Sequence, residues 1–345
     1  MPILVVGAGG LGSELLKNLI CSGFHNITVI DMDTVDLSNL NRQFLFSPSS
    51  IGMAKAVAAA DRVQSRLGGV CTRLTVTPIV GRLQDQPVDF FANFRLILAG
   101  LDNIEARRWL NATLLSLVET ETDSDGSEVI VDPDQIIPLI DGGTEGMKGH
   151  ARLILPRITG CFDCALSLFP PPTVFQECTI VNTPRTAAHC VAFAQAKFSR
   201  EAEDRLGPLD KDVVEHMEWI VRVANEHASN FGLASVLPIT MSVAKGIVGN
   251  IIPAIASTNA VIAAIQAAEA VKIATEVLPN LDNYLMYNGG EGVYTSVFEF
   301  GRDPACVACG TPSVRLRAPS TETVAEFIER LGDHPQYQLK APAIK

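Results

Sequence analysis

A run of glycines near the N-terminus constrains this chain more than any other feature. Gly7-Ala8-Gly9-Gly10-Leu11-Gly12 stands between Ile3-Leu4-Val5-Val6 and a stretch with Leu15, Leu16, Leu19 and Ile20 at helical spacing. A short continuous apolar run ended by glycines predicts a buried parallel strand. Glycines at the strand–helix junction permit a tight turn, and the helix N-terminus offers unpaired N–H groups to phosphate. A second β-branched strand, Ile27-Thr28-Val29-Ile30, ends at Asp31, where a carboxylate can accept from ribose hydroxyls. By itself this pattern says only nucleotide, with NAD or FAD as the ordinary ligand.

Further apolar runs at 74–80, 94–99 and 136–140 end in turn residues, the last two at Gly100-Leu101-Asp102 and Asp141-Gly142-Gly143. Strands alternating with helical patterns predict an α/β fold with a mostly parallel sheet. Pro170-Pro171-Pro172 reads as a stiff connector. A charged helix is expected over 201–224, with Trp219 and Val223 on one side, and an apolar helix over 256–274, capped by Ser257 or Thr258. Residues near 178–250 therefore read as a helical insertion in the α/β domain.

With 345 residues the chain is long enough for two or three domains, and 47% hydrophobic against 19% charged residues describes a packed protein. A net charge of −11 argues against nucleic acid as the main partner. The longest apolar stretch, 251–274, contains Pro253, Asn259, Gln266 and Glu269, so no membrane span is expected. No signal peptide is recognisable, and a cytoplasmic or nuclear location is expected.

The polar residues after Asp31 separate this site from that of a dehydrogenase. Asp33, Asn39, Asn41, Arg42 and Gln43 fall within eleven residues, and Lys55 follows. Arg42 and Lys55 can neutralise a triphosphate, and Asp102 can hold Mg²⁺ with the help of waters. Clustering at strand ends matters because open α/β sheets bind ligands there.

The eight cysteines carry a second signal. Cys161-Phe162-Asp163-Cys164 and Cys306-Val307-Ala308-Cys309 are two Cys-x-x-Cys knuckles, the spacing of a tetrahedral structural Zn²⁺ site, with redox pairs as the alternative. Cys21 and Cys71 read as plain buried residues. Cys178 and Cys190 remain as candidate nucleophiles. His189 precedes Cys190, but neighbours on a helix do not face each other. The residues alone do not choose between the two.

The glycine loop, the segment Asp31-Met32-Asp33-Thr34-Val35-Asp36-Leu37-Ser38-Asn39-Leu40-Asn41-Arg42-Gln43-Phe44, and the segments 138–146 and 252–260 together resemble the adenylation domain of ubiquitin-like-modifier activating enzymes. Within that family the likeness is to the catalytic subunit that activates a Rub-type (neddylation) modifier, and it runs over nearly the whole chain. It implies a Rossmann-like adenylation domain in two parts, 1–177 and 251–312, a catalytic-cysteine insertion over 178–250, and the start of a ubiquitin-fold domain over 313–345. It implies an ATP site formed by Gly7, Gly9, Gly10, Gly12, Asp31, Asp33, Asn39, Asn41, Arg42, Gln43, Lys55, Asp102 and Asn103, with Mg²⁺ at Asp102 and structural zinc on the four knuckle cysteines. The thioester cysteine would be Cys178, in Cys178-Thr179-Ile180. Arg152 would read the modifier's C-terminal tail and disfavour ubiquitin, whose tail carries an arginine. The implied partners are a regulatory subunit, the modifier and a conjugating enzyme. The likeness departs from the family at both ends: the family has an N-terminal extension that helps recruit the conjugating enzyme, and 313–345 resembles only the beginning of the ubiquitin fold. A nicotinamide-dependent oxidoreductase and a non-catalytic scaffold are the alternatives.

Overall fold

A computed structural model describes all residues except 70, 124–127, 170–176, 211–212, 234–237, 249–253, 278–279, 311–317, 320 and 334–345. The first half alternates strand and helix: β1 (Pro2–Val6), α1 (Gly10–Cys21), β2 (Asn26–Asp31), α2 (Lys55–Leu67), β3 (Thr75–Val80), α3 (Val88–Phe91), β4 (Leu96–Ala99) and α4 (Ile104–Leu117). A small hairpin, β5 (Thr120–Thr122) with β6 (Glu128–Ile130), precedes β7 (Leu139–Glu145) and β8 (Lys148–Ile154). Five helices follow: α5 (Glu177–Asn182), α6 (Ala187–Glu201), α7 (Glu203–Leu206), α8 (Val214–Asn230) and α9 (Met241–Val248). The chain then forms α10 (Ala256–Ala274), β9 (Tyr284–Asn288), β10 (Tyr294–Phe298) and α11 (Val324–Asp333).

The main sheet has the order β10-β9-β8-β7-β4-β1-β2-β3. Strands β7, β4, β1, β2 and β3 pair in parallel, and β8, β9 and β10 add antiparallel strands at one end. The two-residue period of a strand divides the continuous apolar run of β1 between two cores. Ile3 and Val5 pack with α1, α2 and α10 on one face. Leu4 and Val6 pack on the other with Phe91, Leu110, Leu114 and the knuckle cysteines. A third core, built from Cys190, Val191, Phe198, Met217, Ile220 and Ala224 among others, belongs to α6, α8 and their neighbours alone.

Several expectations change. The helix expected over 201–224 is broken: α7 stops at Leu206, Gly207 takes φ +86° ahead of Pro208, and α8 restarts at Val214. The run 136–140 does not end its strand at Asp141; β7 continues through both glycines because β8 pairs with them. Neither Ser257 nor Thr258 caps α10, which starts at Ala256 after Ile255 with no side-chain cap. Cys21 is exposed and Cys71 half-buried, so neither is a core residue. The proline connector lies outside the described residues, as does most of 313–345 apart from α11 and its neighbours. No helix among the described residues is long and apolar enough to cross a membrane.

Candidate active site

The C-terminal ends of β1, β2 and β4 meet around the glycine loop. Gly7 adopts φ +94° and its N–H bonds to Ile30 O at 2.9 Å, closing the turn against β2. A Cβ on Gly12 would collide with the Gly7 carbonyl, so this turn admits no side chain there. Gly9 precedes α1 without a side-chain cap, which leaves the first-turn N–H groups to an incoming anion. Asp31 accepts from the Ala8 N–H at 2.7 Å and the Asp33 N–H at 2.8 Å, and burial raises its pKa above the ordinary 3.8. Both carboxylate oxygens therefore already fix the loop, and their remaining lone pairs are what a ribose can use.

Lys55, buried at the start of α2, pairs with Asp33 at 2.7 Å, and its N–H donates to Asp33 O. Arg42 is half-buried and donates to Ser38 O and Asn41 Oδ1, both at 3.1 Å. It reaches the same loop, since a Cβ on Gly10 would lie 3.7 Å from Arg42 Cγ. Gln43 is buried beside Gly9, and its Oε1 has no partner. An orphaned acceptor at the loop suits a polar ligand. Asn39 is different: its Oδ1 accepts from the Asp36 N–H at 3.0 Å, so it holds the turn that presents Arg42. Asn103 N-caps α4 through the Ala106 N–H at 2.7 Å and donates to Asp102 Oδ1 at 3.3 Å. Asp102 is exposed just beyond β4, and no cation among the described residues pairs with it.

Asn259, on α10, was not among the residues expected from the sequence. It crowds Gly10 so closely that a Cβ there would clash, and it accepts from Thr144 Oγ1 at 2.8 Å. Gln266, about two turns further along α10, is fully buried and donates to Ala99 O and Ile140 O, each at 3.0 Å, across β4 and β7. Their polar character inside an apolar helix was the available signal.

Behind this site lies a buried charge cluster. Asp141 accepts from Arg152 Nε at 3.0 Å and Nη2 at 2.9 Å, and from Arg107 at 3.4 Å. Burial pushes the Asp141 carboxyl up, but Arg107 and Arg152 outweigh it and hold the group far below the ordinary carboxylate range. Burial pushes the pKa of His150 below its ordinary value, against the opposing pull of Asp141. Arg152 lies 4.4 Å over the Phe162 ring and is 2% exposed. It sits on an interior strand, not at a sheet edge, and its Nη1 has no partner.

The Sγ atoms of Cys161, Cys164, Cys306 and Cys309 all lie within 4.8 Å of one another, with 3.7 Å between Cys161 and Cys306 and 3.4 Å between Cys164 and Cys309. Tetrahedral Zn–S bonds of about 2.3 Å require S···S separations near 3.8 Å, so the donor set fits zinc. A hydrogen bond from Cys309 pulls Cys161 down to about 5, while burial pushes Cys164 up to about 11. Thiols this close cannot all ionise without a cation among them.

Cys190 is fully buried in the helical core, and burial raises its pKa. Cys178 is the second residue of α5; its side chain lies outside the described residues.

Residues 1–308 match the ThiF family, a span that includes the glycine loop and the main sheet. The chain belongs to the ThiF family. It is 45% identical to a Dictyostelium discoideum protein and 46% identical to an Arabidopsis thaliana protein, each named NEDD8-activating enzyme E1 catalytic subunit, over 99% of this chain and 76% and 72% of theirs. A crystal structure of E. coli MccB with succinimide superposes at a TM-score of 0.52 with 18% identity, covering 90% of this chain and 66% of that one. That likeness supports the ThiF-type adenylation fold, not a substrate.

Proposed function

We propose that the chain is the catalytic subunit of an enzyme that activates a NEDD8-type ubiquitin-like modifier. The modifier's C-terminal carboxylate attacks the α-phosphorus of ATP, giving an acyl-adenylate and releasing pyrophosphate. A cysteine thiolate then attacks the acyl carbon, AMP leaves, and the resulting thioester is handed to a conjugating enzyme. Its relatives carry that name, and the observation that carries the reading to this chain's own residues is the pair of cations at the glycine loop: Arg42 packs beside Gly10 on the uncapped first turn of α1, and Lys55 pairs with Asp33 close to Asp31, which holds the loop. A dehydrogenase loop has no use for two cations there, whereas the charge developing on a transferring phosphoryl group does.

In this reading Asp31 receives the ribose and Gln43 supplies its orphan acceptor to the nucleotide. Asp102 would hold Mg²⁺, which neutralises phosphate charge when bound. Cys178 is the thioester cysteine. Cys190 is a core residue, because a buried thiol with a raised pKa is a poor nucleophile. Arg152 selects the modifier, and a regulatory subunit completes the assembly.

The test uses the chain with its regulatory subunit, modifier, ATP and Mg²⁺, read on a non-reducing gel. Cys178→Ala should retain ATP–pyrophosphate exchange and form no thiol-sensitive adduct, whereas Cys190→Ala should do both. An adduct on Cys178→Ala that Cys190→Ala lacks reverses the assignment.

A further inference from the structure

Helix α5 is short and ends under a constraint that its own sequence creates. In an α-helix the carbonyl of Ile180 would accept from the N–H of residue 184, but residue 184 is Pro and has none. Ile180 is 8% exposed and Pro184 is also buried, so water does not readily replace that donor. A buried carbonyl left unpaired would weaken the helix end.

The missing donor comes from 47 residues away in sequence. His227, in the last turn of α8, places Nε2 2.7 Å from Ile180 O. A carbonyl can only accept, so Nε2 carries the proton and donates. The ring has little freedom to do otherwise. Phe193 of α6 stacks on it at 3.8 Å between centroids and 7° between planes, and Phe231 meets its edge at 5.1 Å. The imidazole is 6% exposed. Two rings thus aim one N–H at one carbonyl, and that bond ties α5 to the body of the helical insertion, two residues from Cys178.

We propose that His227 is a positioning residue for the thioester step: it fixes α5, and hence the backbone that carries Cys178, against α8. This role rests on the assignment of Cys178 as the acceptor thiol. His227 bonds and stacks on residues of the helical insertion, so adenylation should not depend on it.

Three variants test the proposal in the assembled enzyme. His227→Phe keeps an aromatic ring for Phe193 to stack on and removes only the donor. It should speed amide hydrogen exchange across 177–186 and slow thioester formation roughly tenfold, as expected for an unpaired buried carbonyl. ATP–pyrophosphate exchange should stay at the parent rate. His227→Gln, whose amide nitrogen can stand near the position of Nε2, should recover much of the loss. Pro184→Ala restores an N–H at residue 184, so adding it to His227→Phe should return both the exchange protection and the thioester rate. A parent-like thioester rate in His227→Phe, with Cys178→Ala inactive, overturns the role of His227 alone. Loss of adenylation in step with thioester formation, or no rescue by either second variant, shows a merely structural side chain and also overturns it. An adduct on Cys178→Ala overturns the assignment of Cys178 and this role with it.

Discussion

At Asp141 a single carboxylate answers two guanidiniums inside the protein, and this arrangement predicts its own acid lability. Burial alone would raise the group, but Arg107 and Arg152 lower it well below its ordinary 3.8. A depressed folded-state pKa contributes stability that is fully present above the unfolded value and is lost as pH falls below 3.8 toward the folded one. Asp141→Asn leaves two buried cations without a counter-charge and should cost about 3–5 kcal/mol at neutral pH. Urea unfolding should show the gap between parent and variant narrowing once the pH drops below 3.8. A gap that stays constant into acid would contradict the pairing. Arg152→Ala disturbs the same cluster, so its raw activity is a poor guide to modifier choice. The informative quantity is the ratio of rates with ubiquitin and with the NEDD8-type modifier, from which the stability loss cancels. That ratio should shift toward ubiquitin, and an unchanged ratio would remove Arg152 from tail selection. The sequence made Asp31, Arg42 and Lys55 visible because each lies at a readable distance from the glycine turn. It showed Asp141 only as the end of an apolar run. The partners that make it a charge cluster come from α4 and β8, and no local pattern announces a contact between them.

Helix α4 joins the two chemistries that the sequence presented as separate motifs. Its N-terminus carries the Asn103 cap beside Asp102. One turn on, Arg107 donates to Leu101 O and Gly142 O and pairs with Asp141. A turn further, Asn111 accepts from the Phe162 N–H at 3.1 Å and donates to Asp163 Oδ2 at 3.0 Å, while Arg108 holds Asp163 Oδ1 at 2.7 Å. The first Cys-x-x-Cys knuckle is thus seated on the helix that follows Asp102. Asn111 is 2% exposed, and Asn111→Ala would leave the buried Phe162 N–H unpaired at a cost of about 1–3 kcal/mol. Chemical denaturation should register that loss, together with faster zinc release to a chelator; parent-like values for both would mean the knuckle stands without α4. The elements themselves were unevenly legible. Strands β1, β2 and β4 have both faces covered, so they read as continuous apolar runs. Strands β9 and β10 leave Met286, Tyr294 and Val297 exposed, and their mixed faces resemble a loop in sequence. The long helix expected over 201–224 failed because charge pattern outweighed a Gly-Pro pair that stops α7.

Across the whole molecule, the knuckles connect parts of one sheet that the chain visits on either side of helices α5 to α10. Cys161 and Cys164 follow β8, the Cys306–Cys309 pair follows β10, and α5 through α10 lie between them in sequence. The cysteines form part of the same core as Leu4, Val6 and Leu139, so the metal would close a chain loop that the core alone must otherwise hold. Arg302 reinforces the closure, donating to Cys309 O and pairing with Glu128 at 2.5 Å. Four thiols packed this closely without a cation crowd either negative charge or protons. Metal binding removes that conflict, and structural zinc contributes on the order of 10 kcal/mol in small peptides, less where a core already folds. Protein purified without chelator should therefore contain one zinc per chain. Cys306→Ser should lose the metal and melt at a lower temperature, and chelation of the parent should lower its melting temperature toward that of the variant. The nucleotide end of the sheet should remain assembled at first, because β1, β2 and the glycine loop pack on α1, α2 and α10 in the opposite core. Nucleotide binding should accordingly weaken less than overall stability does. A chain that carries no zinc and is indifferent to chelator and to Cys306→Ser would show that the four sulfurs are packed thiols and that the core alone closes the sheet.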